Sequence, residues 1–289
     1  IVLLSFLTVH KKNRGMAVQR PNRSYGSTAP GGRILGTEAV YKNTYVIGYS
    51  DVDFLKCLKC SKLFEYFQDT AGEAADRLGA GVGTLAEKYS VAWILTRIRV
   101  EFTRIPGLNE SITVATWPHP PGKLEFERDF RVCGENGDAI IKAASTWVLI
   151  DTKTRELRRS NHIHMEHPDF IEEHALDTRP GKLKPYGKPE PVYRKVVGYS
   201  DVDFNGHINN SRYIDYIMDC FPVEGHRQYM LKAIEVNYIK EAFPGDTLLL
   251  CSEIPNDGDG TVYIEGLNDE DGKPCFKARL WIVPRQGAA

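Results

Sequence analysis

From Leu63 to Leu78 the apolar residues recur three and four apart: Leu63, Phe64, Phe67, Ala71, Ala74, Ala75 and Leu78. That spacing gathers them on one face of a helix. Tyr213, Ile214, Ile217, Met218 and Phe221 repeat the pattern and predict a second helix. Behind each helix the period falls to two. Ile98, Val100 and Phe102 alternate with Arg97, Arg99 and Glu101, and Ile234, Val236 and Tyr238 alternate with Glu235, Asn237 and Ile239, as in strands with one buried face. Further strand-like runs occupy 111–117, 124–133, 139–150, 247–254, 261–267 and 275–283. Turn sequences such as Glu135-Asn136-Gly137-Asp138 and Asp257-Gly258-Asp259-Gly260 punctuate them.

A helix followed by antiparallel strands, met twice, is an α+β pattern. The duplication is also literal. Residues 46–54 read VIGYSDVDF and residues 196–204 read VVGYSDVDF, identical at eight of nine positions. Two copies of one unit suggest a fused pseudo-dimer. The expected architecture is a tandem, or double, hotdog, each half a long helix wrapped by a curved antiparallel sheet. The boundaries read as a disordered leader over 1–40, an N-terminal hotdog over 41–160, a linker over 161–190 and a C-terminal hotdog over 191–285.

The copies differ where chemistry would sit. Asp53 matches Asp203, but Leu55 stands opposite Asn205 and Cys57 opposite His207. Laying Phe102 on Tyr238 sets Ile105 against Glu241. Asp203, Asn205, His207 and Glu241 are therefore the candidate catalytic residues, three of them absent from the first copy. A carboxylate can activate water, an imidazole can move protons and an amide can orient either, which together suit hydrolysis. A helix starting near Asn209 or Asn210 would point its N–H groups at a developing oxyanion. Asn209, Asn210 and Ser211 also read simply as helix caps.

Composition narrows the setting. The 289 residues carry 37 basic and 38 acidic side chains, a net charge of −1, which gives no support to a nucleic-acid partner. The apolar run from Ile1 to Val9 is too short to span a bilayer, so no membrane partner is expected. Six cysteines in this length read as reduced thiols, the Cys57–Cys60 pair included. No cofactor and no metal are expected: Gly79-x-Gly81-x-Gly83 follows a helix instead of a strand, and His162, His164 and His167 show no acidic or thiol partner by spacing.

The run Asp203-Phe204-Asn205-Gly206-His207-Ile208-Asn209-Asn210-Ser211-Arg212-Tyr213-Ile214 resembles the signature of the acyl-ACP thioesterases of plants and bacteria. Trp93-Ile94-Leu95-Thr96-Arg97 and Trp147-Val148-Leu149-Ile150-Asp151 add to the resemblance, which extends from about Tyr45 to Val283. It implies hydrolysis of a fatty acyl chain from acyl carrier protein (ACP), with the acyl pocket in the N-terminal half and Asp203, Asn205, His207 and Glu241 as site residues. Ala242 stands where the plant members have cysteine, so a cysteine nucleophile at that position is excluded and attack by water is expected. An acidic carrier would need a basic face, for which Arg97, Arg99, Arg104, Arg128, Arg131, Arg155, Arg158 and Arg159 are candidates. A cytoplasmic location is expected, or the plastid stroma if the basic leader is a transit peptide. A homodimer of the fused pair stays open. So do three rivals: an acyl-CoA thioesterase, a hotdog dehydratase and a non-catalytic acyl-binding module.

Overall fold

The computed structural model describes residues 39–166, 170–203, 206–254 and 260–285. Eleven antiparallel strands build one sheet. They are β1 (Tyr41–Val46), β2 (Val91–Phe102), β3 (Ser111–Pro118), β4 (Glu125–Cys133), β5 (Ala139–Asp151), β6 (Leu157–Arg158), β7 (Glu190–Val196), β8 (Tyr229–Tyr238), β9 (Thr247–Glu253), β10 (Thr261–Asn268) and β11 (Pro274–Pro284). Their spatial order is β1-β3-β4-β5-β2-β8-β11-β10-β9-β7, with the short β6 beside β5. The first half fills one side and the second half the other, in mirrored sequence order.

The helix α1 (Cys60–Arg77) buries Leu63, Phe64, Phe67, Ala71 and Ala74, as their spacing requires. A single turn, α2 (Val82–Thr84), runs into a π turn at Leu85–Tyr89. In the second half α3 (Asn210–Asp219) buries Tyr213, Ile214 and Ile217, and α4 (Val223–Gln228) follows. The inward residues of the strands meet α1 and α3 in one apolar cluster spanning both halves, with Phe67 packed on Phe130 at 4.6 Å and Tyr213 on Phe276 at 5.4 Å. Burying these side chains is the main favourable term holding the halves together.

The seam is the β2–β8 ladder, in which Arg97, Ile98, Arg99, Val100 and Glu101 face Asn237, Val236, Glu235, Ile234 and Ala233. The alignment that lays Phe102 on Tyr238 also lays Arg99 on Glu235. These two equivalent residues are the ones that pair, so the pseudo-two-fold axis passes through them. Arg99 Nη1 lies 3.2 Å from Glu235 Oε2.

The segment expected to be the linker is tied down. Ile163 and Met165 are buried in a second apolar cluster, and Ala175 and Leu176 are also buried. Further along, side chains on the sheet act as acceptors for the backbone: Ala175 N–H donates to Asp129 Oδ2 (2.8 Å), Gly181 N–H to Glu235 Oε1 (2.8 Å) and Leu183 N–H to Asn237 Oδ1 (2.8 Å). It is a strap across the sheet face opposite the helices, and it covers the seam. The expected leader falls almost wholly within residues 1–38, outside the described residues. Among the described residues no helix is long and apolar enough to cross a membrane.

Candidate active site

The duplicated motif builds the same backbone twice. Gly198 N–H donates to Asp201 Oδ2 at 2.7 Å, and Gly48 N–H to Asp51 Oδ2 at 2.8 Å. Val202 bridges Ile208 as Val52 bridges Leu58. Asp203 N–H donates to the His207 carbonyl (2.9 Å) as Asp53 N–H does to that of Cys57 (2.8 Å). Each loop turns through a left-handed residue, Gly206 at φ +80° and Lys56 at φ +60°. In the first copy Asp53 Oδ1 accepts the N–H groups of Leu55 and Cys57, at 2.8 and 3.0 Å. The aspartate common to both copies thus has a backbone-holding job in at least one of them.

The unshared residues carry the difference. His207 Nδ1 lies 3.3 Å from Oε1 of Glu241, which follows β8. Phe243 meets the imidazole edge-on at 5.3 Å. The other oxygen of Glu241 accepts from Arg155, a first-half residue just past β5. Asp203, His207 and Glu241 line one cavity of about 140 Å³ together with Trp93, Ile94 and Leu95 from the first half. Three of the four expected catalytic residues therefore come together. Asn205 lies outside the described residues, as does His167.

Two tyrosines that line the cavity are hydrogen-bonded to the backbone. Tyr213 Oη accepts the Ala242 N–H at 3.2 Å, and Tyr238 donates to the Asn210 carbonyl at 3.1 Å. Burial pushes both phenols above their ordinary range, so they act as neutral hydrogen-bonding groups. Asn209 is a helix cap, its side-chain oxygen accepting from Ser211 N–H at 2.9 Å, and Asn210 opens α3 against the cavity. No thiol competes for the chemistry here. Ala242 is fully buried, and burial pushes Cys220 up to about 12 and Cys275 up to about 11, so both stay protonated.

Arg155 was expected on a carrier-docking face, and its contact with Glu241 was not read from the sequence. The only sequence signal for it is its place in the Lys153-Thr154-Arg155 run after β5. Most of the other docking candidates are also engaged within the chain: Arg97 with Glu125, Arg99 with Glu101 and Glu235, Arg104 with Glu110, Arg131 with Glu173, and Arg158 with Asp151. Arg128 donates to Thr116. Arg159 is exposed.

The fold is a double hotdog, two helix-and-sheet units joined edge to edge in one chain. The models of the acyl-ACP thioesterase N-terminal and C-terminal domains match residues 38–166 and 192–279 respectively. The chain belongs to the acyl-ACP thioesterase family. It is 26% identical over 271 residues to the chloroplastic acyl-[acyl-carrier-protein] hydrolase FATB2 of Cuphea viscosissima, covering 88% of this chain and 65% of that protein. It is 27% identical over 225 residues to a chloroplastic palmitoyl-acyl carrier protein thioesterase of Arabidopsis thaliana, covering 73% and 54%. The chain thus spans less than two thirds of the length of these curated relatives. A crystal structure of an acyl-ACP thioesterase from Bacteroides thetaiotaomicron superposes with a TM-score of 0.77 at 27% identity, covering 85% of this chain and 98% of the other.

Proposed function

We propose that this chain hydrolyses the thioester of fatty acyl-ACP, releasing a free fatty acid and ending chain elongation. The observation that carries the reading is the meeting of His207 and Glu241, two residues found only in the second copy, in the lining of a cavity walled by both halves. The family relatives named as acyl-ACP thioesterases support the substrate.

In the proposed mechanism Glu241 accepts the Nδ1–H of His207 and fixes the tautomer that leaves Nε2 as the base. A water gives its proton to Nε2 while its oxygen attacks the thioester carbonyl carbon. Glu241 stabilises the resulting imidazolium, as the carboxylate of a hydrolase triad does. When the carbon–sulfur bond breaks, the imidazolium returns the proton to the departing thiolate. The start of α3 is positioned to favour the oxyanion. Asn205 stays in the set as the residue that orients the water, because it stands where the first copy has Leu55, and Asp203 as the carboxylate that shapes the loop. The wall of Trp93, Ile94 and Leu95 supports the first half as the receiver of the acyl chain.

The test is thiol release from a panel of acyl-ACP and acyl-CoA substrates, with wild type beside His207→Ala and Glu241→Ala. Loss of general acid–base help should cut kcat by about 10²–10⁴-fold in both variants. Faster turnover of acyl-CoA would move the substrate assignment. Unimpaired variants would remove the mechanism.

A further inference from the structure

On the first half, away from the residues that line the candidate active site, three side chains from three segments converge. His119 immediately follows β3, Asp129 lies in β4, and His174 lies on the strap. One ligand atom from each lies within 4.8 Å of the other two. His119 Nε2 is 3.1 Å from Asp129 Oδ2, and His174 Nδ1 is 3.7 Å from the same oxygen. Two ligands bonded to one tetrahedral zinc ion at 2.0–2.1 Å stand about 3.3 Å apart, so these spacings bracket the required edge.

His119 supplies a second observation. The residue is 5% exposed, and its Nε2 approaches Asp129 Oδ2 at 3.1 Å without the alignment of a hydrogen bond. A buried ring nitrogen without a hydrogen bond is costly, and a bound cation would satisfy it. Asp129 is fully buried and prepared for the task. Burial alone would raise its carboxyl, but His119, the Ala175 N–H and the Arg179 guanidinium together hold it below the usual carboxylate range. Ala175 N–H occupies one lone pair of Oδ2 and Arg179 binds Oδ1, an outer sphere that fixes the carboxylate and leaves a lone pair of Oδ2 for an ion. His174 is half exposed, giving an entry path and room for a water as fourth ligand.

We propose that His119, Asp129 and His174 form a zinc site that fastens the inter-half strap to the sheet of the first half. Two imidazoles and one carboxylate suit Zn²⁺ better than calcium or magnesium, which favour oxygen ligands throughout. The site is structural and separate from the hydrolytic one, so it stands whatever the substrate proves to be.

The test uses the full chain stripped with a chelator and titrated with Zn²⁺ alone, followed by calorimetry and thermal melting. One ion should bind per chain and raise Tm. His174→Ala removes an exposed ligand and should leave the stripped protein's Tm unchanged. It should weaken zinc binding at least about a hundredfold, given that loss of an outer-sphere partner alone costs 10–100-fold. His119→Gln should also abolish the Tm rise. Cobalt in place of zinc should give d–d bands without a sulfur charge-transfer band. Absence of stoichiometric binding, binding indifferent to both variants, or a thiolate band placing the ion on cysteines would each overturn the site.

Discussion

At the residue scale, Arg155 distinguishes two accounts of one side chain. If it holds Glu241, Arg155→Ala should lower kcat about tenfold with little change in KM for acyl-ACP, as expected when a positioning contact rather than uniform binding is lost. If it docks the carrier, KM should rise instead, increasingly so at higher salt. Stability should barely change, because the pair is partly exposed and such pairs contribute little. Asp129 gives the opposite case. Its carboxyl is held below the usual range, so it stays ionised in the fold at a pH where the unfolded chain takes up a proton. Its contribution is complete above about pH 4 and is lost as pH falls through the folded value. Asp129→Asn should therefore lower Tm at neutral pH and flatten the acid limb of the Tm–pH curve. His207 and Glu241 were legible in the sequence because duplication supplies its own control, a copy lacking both. The partnership of Glu241 with Arg155 was not legible, because charge identity fixes the sign of a side chain and leaves its partner open.

At the scale of elements, the patterns that carried information were those of buried faces. The helix spacing matched α1 within a few residues, and the period-two runs matched β2 to β5 and β8 to β11, because each of these strands has a face against the core. β7 left no such pattern, and β1 alternates only between half-buried and exposed positions, with Asn43 among the half-buried ones. These strands are the two ends of the sheet, and β7 is exposed along nearly its whole length. The anchoring of the strap was not legible for a related reason: its anchors are backbone N–H groups donating to distant side chains, which no local spacing reveals. One element carries a sharper prediction. Gly266 sits at a register shift in β10, and a Cβ there would come 2.2 Å from Phe276 Cε1. Gly266→Ala should displace that fully buried ring and cost about 1–3 kcal/mol, read from the shift in denaturation midpoint.

At the scale of the molecule, one sheet and one core cross the seam, so the two halves should unfold together in a single cooperative transition. Glu235 is central to this cooperativity. It is buried, faces Arg99, also meets Arg279, and accepts the strap at Gly181. Glu235→Ala would remove the acceptor shared by Arg99, Arg279 and the Gly181 N–H and should lower stability by about 1–3 kcal/mol, with the transition remaining single by calorimetry. The pairing on the axis has another consequence. In a dimer of identical subunits, a residue on the two-fold can face only its own copy. Two first halves joined through this ladder would set Arg99 against Arg99, and two second halves would set Glu235 against Glu235. The chain carries opposite charges where a symmetric dimer would carry the same one twice, so halves separated at the strap should pair with each other in preference to themselves.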